Sequence, residues 1–173
     1  TLLRPQDKLY LCELHTNEYS KLHELFKDDS RLNLHHRHAH EALAALLPPT
    51  PRRGLVLIDP SYEVKAEYDQ IAKLLIAALA KWPSGSFLLW YPLLEEGFHQ
   101  TLLRQLAAQP VPQLISEWRW REPWHEASHD LPGKGMLGSG LLLVNPPWQA
   151  EKFLHSWQTT LCEWFPGSRA QLD

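Results

Sequence analysis

Gly54-Leu55-Val56-Leu57-Ile58-Asp59-Pro60-Ser61-Tyr62 decides how this chain reads. A short, wholly apolar run breaks off into Asp-Pro-Ser-Tyr. Such a run predicts a strand buried on both faces, as in parallel α/β sheets. Ligands of open α/β folds sit just past the carboxyl ends of the strands. The run therefore carries a carboxylate, a rigid proline and an aromatic ring to the tip of what is expected to be a central strand, where chemistry is usually done.

Upstream of it, residues 8–14 predict a first strand that delivers Glu13. Thr16 is expected to cap a helix through Tyr19, Leu22, Leu25 and Phe26. Residues 32–36 predict a second strand, and a helix from about His40 stops at Pro48-Pro49. Downstream, residues 65–82 read as a helix and 87–91 as a fourth buried strand closed by Pro92. A helix over 95–108 precedes an alternating strand over 113–120, of the edge or antiparallel kind. A polar loop with Pro123, Pro132, Gly133 and Gly135 leads to a last strand over 136–144 and an amphipathic helix over 149–165. Strand–helix alternation predicts one α/β domain over residues 1–173. Its sheet is expected to be Rossmann-like and mostly parallel, with helices on both faces and a C-terminal antiparallel hairpin.

The composition narrows the class. The 173 residues carry a net charge of −3, which lacks the strongly basic footprint of most nucleic-acid binders but leaves room for a local patch. Arg52, Arg53, Arg119, Arg121 and Lys134 are the candidate phosphate contacts, or else ordinary surface charge. Cys12 and Cys162 are too few for a disulfide framework and suit a reducing cytoplasm. No apolar run approaches the length of a membrane span, so no membrane partner is expected. The late tryptophans, from Trp118 to Trp164, read as core and wet surface or as a stacking platform for bases.

Asp-Pro-x-aromatic after a strand suits chemistry on an exocyclic amine. The amine's lone pair is delocalised into its ring, so it is a poor nucleophile. A carboxylate and a backbone carbonyl accepting both N–H hydrogens concentrate that lone pair toward an electrophile. Pro60 stiffens the segment that presents the carbonyl. The ring of Tyr62 is expected to stack on an everted base. The plainer reading makes 59–62 a turn in which Asp59 caps the next helix. Asn145-Pro146-Pro147-Trp148 is a second stretch of the same type, better read as a strand–helix junction. Glu13, at the end of the first strand, is placed to hold ribose hydroxyls of a nucleotide-like cofactor, or is a solvent-facing acid. His35, His36, His38 and His40 form a dense cluster without matching cysteine or acidic spacing, so no metal site is expected.

Several stretches together resemble one family: Leu3-Arg4-Pro5-Gln6-Asp7, Glu13-Leu14-His15, Pro48-Pro49, then Arg52-Arg53-Gly54 running to Asp59-Pro60. Leu89-Trp90-Tyr91-Pro92 and Gly138-Ser139-Gly140 running to Asn145-Pro146-Pro147-Trp148 continue the series in the same order. Over nearly its whole length the chain resembles the bacterial 23S ribosomal RNA adenine-N6 methyltransferases of the RlmJ type. The resemblance implies a class I methyltransferase fold, S-adenosylmethionine as cofactor, 23S ribosomal RNA as partner, a cytoplasmic location and a monomer. It implies Asp59, Pro60 and Tyr62 as catalytic residues, and Glu13, His38, Ala39 and Asp59 beside the cofactor. His38-Ala39 stands where the family usually has Asp-Gly. The family's Gly-rich loop and helical subdomain have no counterpart before Asp59, so the sheet is expected to be incomplete on its N-terminal side, as in a C-terminal piece that binds cofactor weakly alone. Three other readings stay open: methyl transfer to adenine in DNA, a non-catalytic α/β module that binds RNA or a protein, and a different nucleotide-binding α/β protein in which Glu13 and Asp59 serve another ligand.

Overall fold

The computed structural model describes residues 3–120 and 135–173. The chain divides into two compact units, Thr1–Leu47 and Pro48–Asp173. The expected polar loop, with Arg121 and Lys134, lies almost wholly outside the described residues.

In the first unit, β1 (Leu9–Glu13) pairs in parallel with β2 (Leu32–His36), Leu9 opposite Leu32 and Glu13 opposite His36. The crossover is α1 (Thr16–Phe26), and α2 (Ala39–Leu46) follows β2. Thr16 opens α1 but does not cap it. The cap position is His15, whose side chain makes no capping bond. The apolar core is thin: Ala42 and Leu47 are buried, and no residue of α1 is.

The second unit contains β3 (Leu55–Ile58), α3 (Ala66–Lys81), β4 (Ser86–Leu93), α4 (His99–Ala107), β5 (Gln113–Arg119), β6 (Gly138–Val144), α5 (Ala150–Trp164) and β7 (Arg169–Leu172). Its five strands lie in the order β3-β4-β6-β5-β7. The expected mostly parallel sheet is corrected here: β3–β4 is parallel, and β4–β6, β6–β5 and β5–β7 are antiparallel. The reason is topological. The α4 crossover carries β5 one place beyond β4's neighbour, and β6 returns into the gap, antiparallel to both. The expected β5–β6 hairpin partners are present. Strand β7 is not among the expected strands, because Arg-Ala-Gln-Leu alternates over only four residues, too short a stretch to mark a strand by itself.

A second correction concerns β3. Among the described residues it is an edge strand, not a central one, and it is not covered on both faces: Leu55 and Leu57 are 58% and 64% exposed, while Ile58 is buried. Apolar composition records what a strand is suited to bury, not what covers it in a given chain.

The core lies on one face of β4. Phe87, Leu89, Tyr91 and Leu93 are fully buried with Leu142 and Val144 of β6 and with Ala72, Leu75 and Leu102 of the helices. At the centre, Gly140 lies opposite Tyr91, and a Cβ there would overlap the tyrosine ring. On the other face α5 packs over β5 and β7 through the buried Gln158, which donates to Ser116 Oγ (2.9 Å) and the Gln171 carbonyl (2.6 Å).

Tyr91 also belongs to a buried polar group. Its hydroxyl donates to Glu117 Oε1 at 3.1 Å, and Arg119 Nη2 donates to Glu117 Oε2 at 3.1 Å. The buried His99 ring stacks on Tyr91 with centroids 5.6 Å apart, its Nε2 lying 3.9 Å from Glu117 Oε1. Burial holds the His99 pKa below its ordinary value, the Glu117 charge opposing and Arg119 assisting. The folded chain therefore keeps His99 neutral at a pH where the unfolded chain, titrating near 6.5, binds a proton. With more protons on the unfolded state, stability rises with pH through that window and falls as pH drops below about 6.5. The urea midpoint is expected to fall between about pH 7.5 and 5.5, and to fall less in His99→Phe. An identical pH dependence in the variant would contradict this role.

Candidate active site

The site is built at the shared carboxyl end of β3 and β4. Ile58 pairs with Leu89, so the next residue, Asp59, stands level with Trp90. Asp59 is exposed, and its carboxylate makes no side-chain hydrogen bond among the described residues. It does not cap the following helix, since α3 begins at Ala66 with Lys65 in the cap position. Pro60 is half-buried. Ser61 Oγ reaches Glu67 Oε1 at 3.5 Å, at the limit of a hydrogen bond.

Tyr62 turns the chain with φ of 54°. A bulky side chain in the left-handed region is strained, and such strain persists only where neighbours over-determine it. Here they do. The Tyr62 hydroxyl donates to the Trp90 carbonyl at 2.8 Å, and the ring lies 4.5 Å from the Tyr68 ring and 5.9 Å from Trp90. Burial, then the neighbouring Tyr68 and the Asp59 and Glu67 charges, push the hydroxyl pKa far above its ordinary value, so it stays a neutral donor. Tyr62 is only 8% exposed. As found, it braces the Asp59 segment against β4, and its ring is not open to a base as the sequence reading expected.

Trp90, Ser139, Tyr68 and Glu67 complete this end of the sheet and were not singled out from sequence. The Trp90 indole Nε1 donates to Ser139 Oγ at 2.7 Å. Trp90 and Ser139 stand in stretches that resemble the family, and Glu67 and Tyr68 open the helix α3, but no local pattern gave any of the four a place at the site.

The second Pro-Pro stretch lies at the other end. Val144 pairs with Phe87, which pairs with Val56, so Asn145 follows at the amino end of β3 and β4. That is about 13 Å along the strands from Asp59, at roughly 3.3 Å per residue. Asn145 has φ of 49°, and its Nδ2 donates to the Pro83 and Gly85 carbonyls, each at 2.8 Å. Its own carbonyl accepts from Ser86 Oγ at 2.8 Å. It is a structural junction, and Asn145→Ala is expected to cost about 2–4 kcal/mol from two lost bonds and the left-handed backbone. Chemical denaturation of the variant checks this.

In the first unit, Glu13 Oε1 accepts from the His15 N–H at 2.7 Å, and the other oxygen makes no hydrogen bond among the described residues. His38 caps α2, its Nδ1 accepting from the His40 N–H at 3.2 Å, and Ala39 is the first helical residue. The histidines have structural contacts: His36 stacks on Tyr19 at 4.7 Å and lies 3.0 Å from the Leu14 carbonyl, and His35 stacks on Tyr10. Among the described residues no three metal-ligating side chains gather. Of the candidate cations, Arg119 is engaged with Glu117, and Arg52 and Arg53 are exposed before the amino end of β3.

A mixed α/β fold with a carboxylate, a proline and a strained aromatic at the tip of a parallel strand pair suits a methyltransferase. The family model described as "Ribosomal RNA large subunit methyltransferase D, RlmJ" matches residues 1–167. The chain belongs to the RlmJ family. It is 33% identical over 155 residues to ribosomal RNA large subunit methyltransferase J of Escherichia coli (strain K12), spanning 90% of this chain and 53% of that protein. It is also 33% identical over 150 residues to the protein of the same name from Haemophilus influenzae, spanning 87% of this chain and 51% of that one. The chain thus spans about half the length of the curated relatives it matches. Protein LPL1258 from Legionella pneumophila has a similar structure, with TM-score 0.87 and 34% identity, over 99% of this chain and 62% of that chain.

Proposed function

We propose that this chain is the catalytic part of an S-adenosylmethionine-dependent methyltransferase acting on adenine N6 in 23S ribosomal RNA. The observation that carries the reading is the exposed carboxylate of Asp59, level with Trp90 at the end of two parallel strands and braced by Tyr62. The names of the curated relatives support ribosomal RNA as the substrate.

Asp59 and the Pro60 carbonyl accept the two hydrogens of the target amine and turn its lone pair outward. The proline ring and the strained Tyr62 hold that carbonyl in place before substrate arrives, which reduces reorganisation during reaction. S-adenosylmethionine, when bound, supplies an electrophilic methyl group. The residues present fit this cofactor in part. Glu13 has one carboxylate oxygen for a ribose hydroxyl, the other being used on the His15 N–H. His38 does not fit the adenine contact of an aspartate, because its acceptor nitrogen caps α2. No helix among the described residues is long and apolar enough to cross a membrane, and a cytoplasmic monomer is part of the proposal.

The test offers labelled methyl donor to the full-length gene product with 23S ribosomal RNA and with duplex DNA in parallel. Label is expected on RNA adenine alone. Label on DNA instead would assign the alternative substrate, and label on neither would favour a non-catalytic binding module.

A further inference from the structure

The proposed mechanism asks the Pro60 carbonyl to accept one hydrogen of the target amine, so that carbonyl has to be aimed. It shares a planar peptide unit with the Ser61 N–H. The plane turns about two bonds only, at Pro60 ψ and Ser61 φ. Upstream, Ile58 is fixed by its register against Leu89. Downstream, Tyr62 is fixed by the bond from its hydroxyl to the Trp90 carbonyl. Between Pro60 and Tyr62, Ser61 has neither a ring closing its backbone nor a strand partner. A second proline would lock φ at position 61 and confine residue 60 to extended backbone. The chain's other stretch of this type has that proline, Pro147. Serine leaves the plane loose unless something else holds it.

Glu67 is placed to do so. It stands in the first turn of α3, six residues after Ser61, and its Oε1 is 3.5 Å from Ser61 Oγ. Its Oε2 is buried and makes no hydrogen bond among the described residues. The carboxylate is therefore sunk behind the turn rather than swinging in water. Burial first, then Tyr68, Asp59 and Glu67 in turn, raise the Tyr62 hydroxyl pKa, which sets the Glu67 charge close to the same segment. Burying a carboxylate oxygen without a partner is unfavourable, which points to a use for the other oxygen. The 3.5 Å separation is at the outer limit for a hydroxyl donor. Bonds that serve catalysis are often long before substrate binds and tighten when it does. The contact lies wholly within the connection between β3 and α3.

We propose that Glu67 is a positioning residue for methyl transfer: by accepting from the Ser61 hydroxyl it holds the plane of the Pro60 carbonyl, as a second proline would. The inference rests on the methyltransferase reading of Asp59 and Pro60 and adds the residue that aims the second acceptor. Glu67 acts through Ser61, and the chemical step is unchanged.

The test measures kcat and KM for 23S ribosomal RNA on the full-length gene product. Glu67→Ala and Ser61→Ala are each expected to lower kcat about 5- to 10-fold, the scale of one net hydrogen bond, with KM within about twofold of the wild type. The double variant is expected to lose no more than either single one, because both remove the same contact. Glu67→Gln keeps an acceptor oxygen at the same reach and is expected to retain most of the rate. In a Ser61→Pro background, Glu67→Ala is expected to cost less than about twofold, since the ring holds what the carboxylate held. Ser61 is exposed, so Ser61→Ala serves if Glu67→Ala folds poorly. The proposal is overturned by normal kcat in Glu67→Ala or Ser61→Ala, by losses that add in the double variant, or by a Glu67→Gln chain as slow as Glu67→Ala. A Ser61→Pro chain that is inactive or still needs Glu67 overturns it as well. Full turnover in Asp59→Asn would remove the mechanism beneath the inference, whereas additive losses beside an inactive Asp59→Asn would remove the role of Glu67 alone.

Discussion

Asp59→Asn in the full-length protein is expected to lower methyl transfer by at least about 10²-fold, the usual scale for removing one preorganised electrostatic contact. The substitution keeps the size of the side chain and changes its hydrogen-bonding character. The carboxylate offers acceptors only, whereas an asparagine offers one acceptor and an NH₂ donor pair. Facing a target amine, that donor pair opposes the N–H groups it should receive. The same change is expected to leave stability within about 0.5 kcal/mol, because Asp59 is exposed and has no hydrogen-bond partner among the described residues. Turnover and urea unfolding measured on one preparation separate the two effects. A variant with normal turnover would remove the basis of the mechanism, and one that lost turnover only by unfolding would make Asp59 a structural residue.

Gly140→Val is expected to destabilise the second unit by more than about 3 kcal/mol, at or beyond the upper end of ordinary overpacking costs. The neighbour it would strike cannot yield easily. Tyr91 is fully buried, hydrogen-bonded to Glu117 and stacked on His99, and its ring lies over the glycine. Even the single methyl of Gly140→Ala would overlap the ring, so either substitution must displace a residue fixed by three elements. Replacing Tyr91 with leucine in the same chain is expected to recover part of the loss, since adjacent core sites couple. Denaturation midpoints of the two single variants and the double variant measure that coupling. A Gly140→Val chain as stable as the wild type would show that the ring has room to move.

Local chemistry made much of this molecule legible. The carboxylate after Ile58 marked the end of β3, and the apolar spacing of Tyr68, Ile71 and Leu75 marked the buried face of α3. What failed depended on neighbours far along the chain. The run 55–58 showed that β3 is apolar, but not that β4 alone would pair with it. Alternation over 113–119 pointed to an antiparallel strand, but nothing local told β6 to settle between β4 and β5. Asp59 and Asn145 head similar motifs, and only register distinguishes them, by setting one at each end of the sheet. Tyr62 and Trp90 show the same limit at the site. Both rings were visible in the sequence, and which of them is covered depends on a hydroxyl bond to a backbone carbonyl twenty-eight residues away.

The unpaired side of β3 bears on how this stretch behaves outside its longer relatives. Among the described residues no strand pairs with the outer side of β3, and such an edge, flanked by exposed leucines at 55 and 57, is a template for sheet growth between molecules. Leu57→Lys, which sets a charge on that rim, is therefore expected to lower self-association of the chain at high concentration, as read by light scattering.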